Sequence, residues 1–296
     1  MNRNRTGGKI LNCVKRGNVV NYKKGDGYMG VEKDLKDFDK KWESLQIKND
    51  YIFSKVMRDK EICITLLEKL LELKIKDIVY LEEEKTINIE YAAKSVRLDV
   101  YVEDSKRVFN LEMQATAKKE LPYRSRYYQG MIDLNNIEKG ASYKRLKDSY
   151  VIFICTFDPF EKGLAQYTFE NLCKENSRIR LKDGTTKIFF NATDYKKAEN
   201  EDVREFLRYV NGEKSDDPFI QILDNKVLKV KSSEEWRREY MTLLMREQDI
   251  RDEIREEDIR KLIESLRFFA ISDEEILQQL VERYQLTMDE ARVYLN

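Results

Sequence analysis

Two acidic side chains, Asp99 and Glu112, flank a short polar turn in the stretch VRLDVYVEDSKRVFNLEMQ, Val96 to Gln114. Apolar and polar residues alternate on both sides of that turn, so each side reads as a strand, Val96–Glu103 and Val108–Gln114. A symmetric loop centred between Ser105 and Lys106 sets Glu103 opposite Val108 and Asp99 opposite Glu112. Alternation puts Leu98, Val100, Phe109, Leu111 and Met113 on one face, and Asp99, Tyr101, Asn110, Glu112 and Gln114 on the other. Turn and apolar pattern demand the same register.

Directly opposed strand residues have Cβ atoms roughly 4.5–5.5 Å apart. Two carboxylates so placed repel unless a cation or a shared proton comes between them. A divalent ion held by both turns the repulsion into binding, and oxygen donors suit magnesium or manganese. Gln114 points the same way, about 7 Å along the strand from Glu112, where its amide could hold a water or a phosphate oxygen. The rival reading is a solvent-facing hairpin on which acids happen to align.

The chain of 296 residues contains no histidine, which removes serine–histidine and cysteine–histidine catalysis and histidine-bound zinc. A hydrolase built from it needs carboxylates and a hard metal ion. Lys plus Arg and Asp plus Glu balance at 55 each, so a nucleic-acid surface has to be a local patch. The four cysteines form no C-x-x-C pair, and Cys155, in an apolar run, reads as a buried free thiol. No apolar segment approaches the length of a membrane span and no signal peptide is visible, so a soluble, cytoplasmic protein is expected.

The elements that must position the acids follow in order. Residues 1–40, rich in glycine and basic side chains, read as a disordered basic leader. Ile52, Val56, Ile62, Leu66, Leu67 and Leu70 recur at helical spacing behind Asn49/Asp50 and Asp59 as N-caps. Ile75–Tyr80 and Thr86–Tyr91 are weaker strands. After the hairpin, Pro122 opens a helix with the apolar stripe Tyr123, Tyr127, Met131, Leu134. YVIFICTF, from Tyr150, is a strand buried on both faces, and RIRLKDGTTKIFFN is a hairpin turning at Asp183-Gly184. The expected fold is α/β (α+β): a mixed central sheet flanked by helices over 41–215, and a helical, highly charged C-terminal region over 216–296. In that region Trp236, Tyr240, Leu243, Ile250, Ile254 and Leu262 form an apolar seam that could pair two chains as a homodimer. Capping boxes at Ser272…Glu275 and Thr287…Glu290 start two short helices.

An aspartate on one strand followed by glutamate-x-glutamine on the next resembles the PD-(D/E)XK nuclease core. NDYIFSKVMRDKE, RLDVYVED, NLEMQ, RSRYYQGMID and YVIFICTFDPF together resemble the recombination-promoting nuclease and putative transposase family of that superfamily. The likeness runs from about Asn49 to the C-terminus. It implies a restriction-endonuclease-like core and metal-dependent endonuclease cleavage of DNA. Carried over residue by residue, Asp99 and Glu112 would bind Mg2+ or Mn2+ with the Met113 carbonyl, and Gln114 would occupy the commonest form's lysine position. Glutamine brings a dipole where lysine brings a charge, although it does resemble this family's own pattern.

Further residues carry paired readings. Asp50 is an active-site neighbour or an N-cap; Glu61 or Glu68 is an extra helix carboxylate or merely solvated. The resemblance places the helix of Arg124, Arg126, Tyr127 and Tyr128 beside the cleft, where arginine could clasp a phosphate and tyrosine stack on a base. The alternative is core packing and surface ion pairs. Lys118 and Lys119 could supply charge near the phosphate. Beside the nuclease stand two other functions, a DNA-binding module without catalysis and an interaction protein working through its helical tail.

Overall fold

The structure is a computed structural model that describes residues 14–15, 18–19, 37–76, 78, 80–87, 96–117 and 119–295. Of the expected leader it describes a small antiparallel ladder, β1 (Val14–Lys15) on β2 (Asn18–Val19), and the start of helix α1 at 37–44. The rest of the leader, Lys118, and the end of the strand expected at Thr86–Tyr91 lie outside the described residues.

Two capped helices come first. In α2 (Asp50–Met57) the Asn49 side chain accepts the Ile52 N–H at 3.2 Å, and in α3 (Lys60–Leu71) Asp59 accepts the Ile62 N–H at 3.4 Å. Each satisfies a backbone donor that the first helical turn leaves unpaired.

The sheet has the strand order β3-β4-β5-β6-β8-β7. Strands β3 (Tyr80–Ile87), β4 (Val96–Glu103) and β5 (Arg107–Gln114) form an antiparallel meander. Helix α4 (Leu121–Asn136) then crosses over to β6 (Asp148–Cys155), which runs parallel to β5. Strand β8 (Thr185–Asn191) is parallel to β6, and β7 (Gln166–Phe169) closes the edge antiparallel to β8. The mixed sheet flanked by helices is the arrangement expected from the element order. On one face Leu121, Tyr128, Met131 and Ile132 of α4 pack with Val108, Val151, Phe153, Cys155 and Phe189. Helix α2 lies against β3, β4 and β5 and packs in turn on α3 and on α6 (Pro218–Lys231).

The strand expected at Ile75–Tyr80 is not formed at Ile75, Lys76 or Ile78, β3 beginning only at Tyr80, and two further expectations fail for tertiary reasons. On α4 the residues facing the sheet are Leu121, Ser125, Tyr128, Gln129, Met131 and Ile132, whereas Tyr123, Tyr127 and Leu134 are exposed. The buried stripe is rotated from the one counted from apolar residues, because Ser125 and Gln129 are carried into the interface on hydrogen bonds to Pro122 O and Ser149 Oγ. The second exception is the hairpin at Asp183-Gly184. Strand β8 pairs with β6 and β7, and the segment before it makes only a bridge, Leu172 to Arg180. Glycine is needed at 184 for close approach: its φ is +74°, and a Cβ there would meet Asp148 Oδ1 at 2.5 Å.

The loop after β6 is organised by Asp158. Its carboxylate accepts the N–H groups of Phe160 (3.0 Å) and Gly163 (2.6 Å) and the Tyr167 hydroxyl (2.8 Å). Burial works against its charge, but these donors outweigh it and hold the carboxyl below its usual range. A depressed folded-state pKa adds stability above the unfolded value near 3.8, and that stability is lost as pH falls through the folded value. Asp158→Ala is therefore expected to cost about 1–3 kcal/mol at pH 7. The gap to wild type should close in denaturant titrations below pH 4; a gap independent of pH would contradict this role.

The chain divides into two compact units, Met1–Ser232 and Ser233–Asn296. Helices α5 (Glu201–Val210) and α6 belong to the first. Phe219, Ile220, Leu223, Val227 and Val230 of α6 are buried. The second unit holds α7 (Glu234–Phe268), α8 (Asp273–Tyr284) and α9 (Met288–Leu295), with Ile259, Ile263, Ile276, Leu280 and Ala291 as its core. Both capping boxes form. Ile250 and Ile254 of the expected seam are exposed.

Candidate active site

The β4–β5 ladder pairs Glu103 with Val108 and continues to Val100 with Leu111. One step further stand Asp99 and Glu112, and there side chains replace the backbone rung. The Asp99 N–H donates to Glu112 Oε1 at 3.2 Å, and the Met113 N–H donates to Asp99 Oδ2 at 3.0 Å. Each carboxylate is thus held by the backbone of the opposite strand, which brings both into one gap between the strands.

This is no solvent-facing hairpin. Every residue from Val108 to Gln114 is buried, and Glu112 is only 1% exposed, while Asp99 keeps partial access to solvent. Burial and the neighbouring Asp99 charge push the Glu112 carboxyl well above its usual range, against the opposing pull of the Asp99 N–H, Arg124 and Asn110. Two acids are being held where the second ionises with difficulty, an arrangement that calls for a cation.

Arg124 supplies one. From α4 its guanidinium places Nη2 3.5 Å from Glu112 Oε2 and donates from Nη1 to Gln114 Oε1 at 2.8 Å. It also donates to the Tyr128 hydroxyl at 2.7 Å, and it lies over the rings of Tyr128 and Phe153. Burial works against the Arg124 charge, yet Tyr128, Glu112 and Asp99 outweigh it and raise its pKa. The positive charge that Gln114 cannot carry stands beside Gln114, brought from the following helix. Gln114 donates its amide to the Met113 carbonyl at 3.0 Å, leaving that oxygen a second lone pair.

The other sequence candidates separate. Tyr128 is 8% exposed and stacks on Phe153 at 6.1 Å, so it cannot stack on a base; the α4 core takes it. Arg126, Tyr127 and Lys119 are exposed, and Arg126 lies over the Tyr123 ring at 5.8 Å. Asp50 is the first residue of α2 and accepts the Tyr51 N–H at 2.8 Å; the cap is Asn49. Glu61 is exposed in the first turn of α3, and Glu68 accepts the Ile75 N–H at 2.8 Å. Among the described residues no third acid or cysteine joins Asp99 and Glu112.

Two residues escaped sequence reading. Asn110, on the Glu112 face, is fully buried, and neither amide atom has hydrogen-bond geometry to a described residue, though it lies near enough to favour the Glu112 charge. Lys55 is 3% exposed in α2, 5.0 Å above the Tyr51 ring. A lysine amid the apolar run YIFSKVM is the signal that could have flagged it.

A family model described as PD-(D/E)XK nuclease family transposase matches residues 47–294. The chain belongs to this family. Membership makes the mixed sheet with its helices a restriction-endonuclease-like fold, carrying a helical C-terminal region. A PD-(D/E)XK membership points to nuclease-like function on DNA, and nucleases of this kind generally use divalent metal ions. Comparison with curated proteins and with solved structures gave no match. No helix among the described residues is long and apolar enough to cross a membrane.

Proposed function

We propose that the protein is a metal-dependent endonuclease that hydrolyses DNA phosphodiester bonds and serves recombination or mobile elements. The observation that carries the reading is the reciprocal pinning of Asp99 and Glu112 across the hairpin, with Glu112 wholly desolvated. The donor set fits a hard divalent cation: two carboxylates and a carbonyl, all oxygen, with an excess of negative charge in a buried gap. In this reading Asp99, Glu112 and the Met113 carbonyl hold Mg2+ or Mn2+. Such an ion, when bound, lowers the pKa of a water and offsets charge developing on the phosphate.

The chain's own residues do the rest. Arg124 favours the charged form of Glu112 against burial and the Asp99 charge, and Gln114 is held by its bonds to Arg124 and the Met113 carbonyl. Arg124 stands where it also offsets charge on a phosphate. Arg126, exposed on the same helix, is free to reach the DNA backbone.

A second reading, a DNA-binding module without catalysis, draws on the same Arg124 contact, which part-neutralises the acid pair without any metal. Two measurements separate them. The nuclease nicks supercoiled plasmid in magnesium and leaves it intact in EDTA, and it binds manganese with an affinity that Asp99→Asn abolishes. Shift of the plasmid without nicking in any divalent metal would sink the enzyme reading and leave the binder.

A further inference from the structure

Beside the acid pair, on the same face of the sheet, lies a cleft of about 480 Å3 between the start of α4 and the β7–β8 edge. Pro122 and Arg126 form its helix side; Phe160, Phe169, Lys187 and Phe189 form the other. We propose that this cleft receives an unpaired base of the DNA strand being cut, so that the preferred substrate is single-stranded or locally unpaired. The inference rests on the nuclease reading and specifies its substrate.

The walls are aromatic. Phe160 meets Phe189 edge-on at 5.1 Å and lies tilted against Phe169 at 5.1 Å, making a corner of rings. Phe169 is 45% exposed, a large apolar surface that nothing among the described residues covers. The volume falls in the range of about 300–1,000 Å3 typical of small-ligand clefts. The charges suit a nucleotide: Arg126 is exposed and Lys187 half-exposed at the walls, Glu170 is ion-paired with Arg180, and Asp133 faces Lys187. Among the residues that line the cleft, two are cations, Arg126 and Lys187, against one acid, Glu170, while Arg180, Asp133 and Asp183 stand just outside the lining.

Its position ties it to the acids. Glu112 pairs across the sheet with Phe153, and Phe153 with Phe189. Two strand spacings of roughly 4.8 Å put Phe189 about 10 Å from Glu112. The rings of Phe153 and Phe189 stack at 5.1 Å along that row. Helix α4 spans both places, with Arg124 on the acid pair and Arg126 at the cleft. A strand whose scissile phosphate lies at Asp99 and Glu112 would carry a base one or two nucleotides away into the cleft. Bases inside a duplex have both faces covered by their neighbours, so a ring-lined cleft can engage only a base that has left the stack.

The test is fluorescence anisotropy of a fluorescein-labelled oligonucleotide in EDTA, as a single strand and as its duplex, with the full chain. Wild type is expected to bind the single strand roughly tenfold more tightly than the duplex, and Phe169→Ala to remove most of that preference, the scale of one base–aromatic stack. Lys187→Gln, which leaves the rings in place, is expected to weaken the single strand several-fold. Equal affinity for both DNA forms overturns the proposal, as does unchanged single-strand binding by variants with wild-type circular dichroism. Equally tight capture of free dAMP would make the cleft a mononucleotide site and also overturn it. The two readings fail separately: single-strand preference without magnesium-dependent nicking refutes the nuclease and keeps the cleft. Nicking with no such preference does the reverse.

Discussion

Alanine at either Asp99 or Glu112 is expected to lower magnesium-dependent cleavage about a thousandfold or more, beyond the 10–100-fold typical of outer-shell partners of a metal site. Each side chain does two things that alanine cannot. It contributes oxygen donors to the gap, and it accepts a backbone N–H of the opposite strand, so its loss loosens its partner as well. Effects of the two substitutions should therefore be far from additive, the double variant being little worse than either single one. Glu112→Gln supplies the control against unfolding. It keeps the shape and removes a charge that burial and Asp99 make costly, so the metal-free protein should melt at a higher temperature than wild type in EDTA at neutral pH. An inactive Glu112→Gln that is more stable than wild type is the signature of a site that trades stability for chemistry. Undiminished cleavage by Asp99→Ala and Glu112→Ala would refute the assignment.

Arg124→Gln is expected to split two properties that usually fall together. Removing a cation 3.5 Å from Glu112 leaves the acid pair more negative, so manganese should bind several-fold to about tenfold more tightly. Cleavage should nevertheless fall by about a hundredfold, the effect of losing one preorganised donor to a developing oxyanion. Arg124→Lys restores charge but not the planar fork that reaches Gln114, Tyr128 and Glu112 together, and should recover only part of the rate. Isothermal titration with manganese and plasmid nicking, run on the same preparations, read both sides. If Arg124 merely packs the helix, metal affinity, cleavage and melting temperature would all decline in step.

The hairpin was legible because its determinants are local. A polar turn and strict alternation on both arms permit one register, and that register alone sets Asp99 against Glu112. The Asn49 and Asp59 caps, both capping boxes and the doubly buried β6 were legible for the same reason: each is decided within a few residues. The absence of histidine leaves carboxylates and a metal as the route to hydrolysis, and composition alone decides that.

Tertiary structure decided what depends on partners distant in the chain. Counting apolar residues misplaced the buried face of α4, since tyrosines are content at a surface, while Ser125 and Gln129 go inside once Pro122 O and Ser149 Oγ satisfy them. Asp183-Gly184 has hairpin chemistry, yet the edges of β8 were taken by β6 and β7, and the glycine answers to Asp148 instead. Most of all, Gln114 looked like a site short of a positive charge. The charge arrives from Arg124 because a crossover helix folds back over the strand that precedes it, and no spacing along the chain encodes that approach.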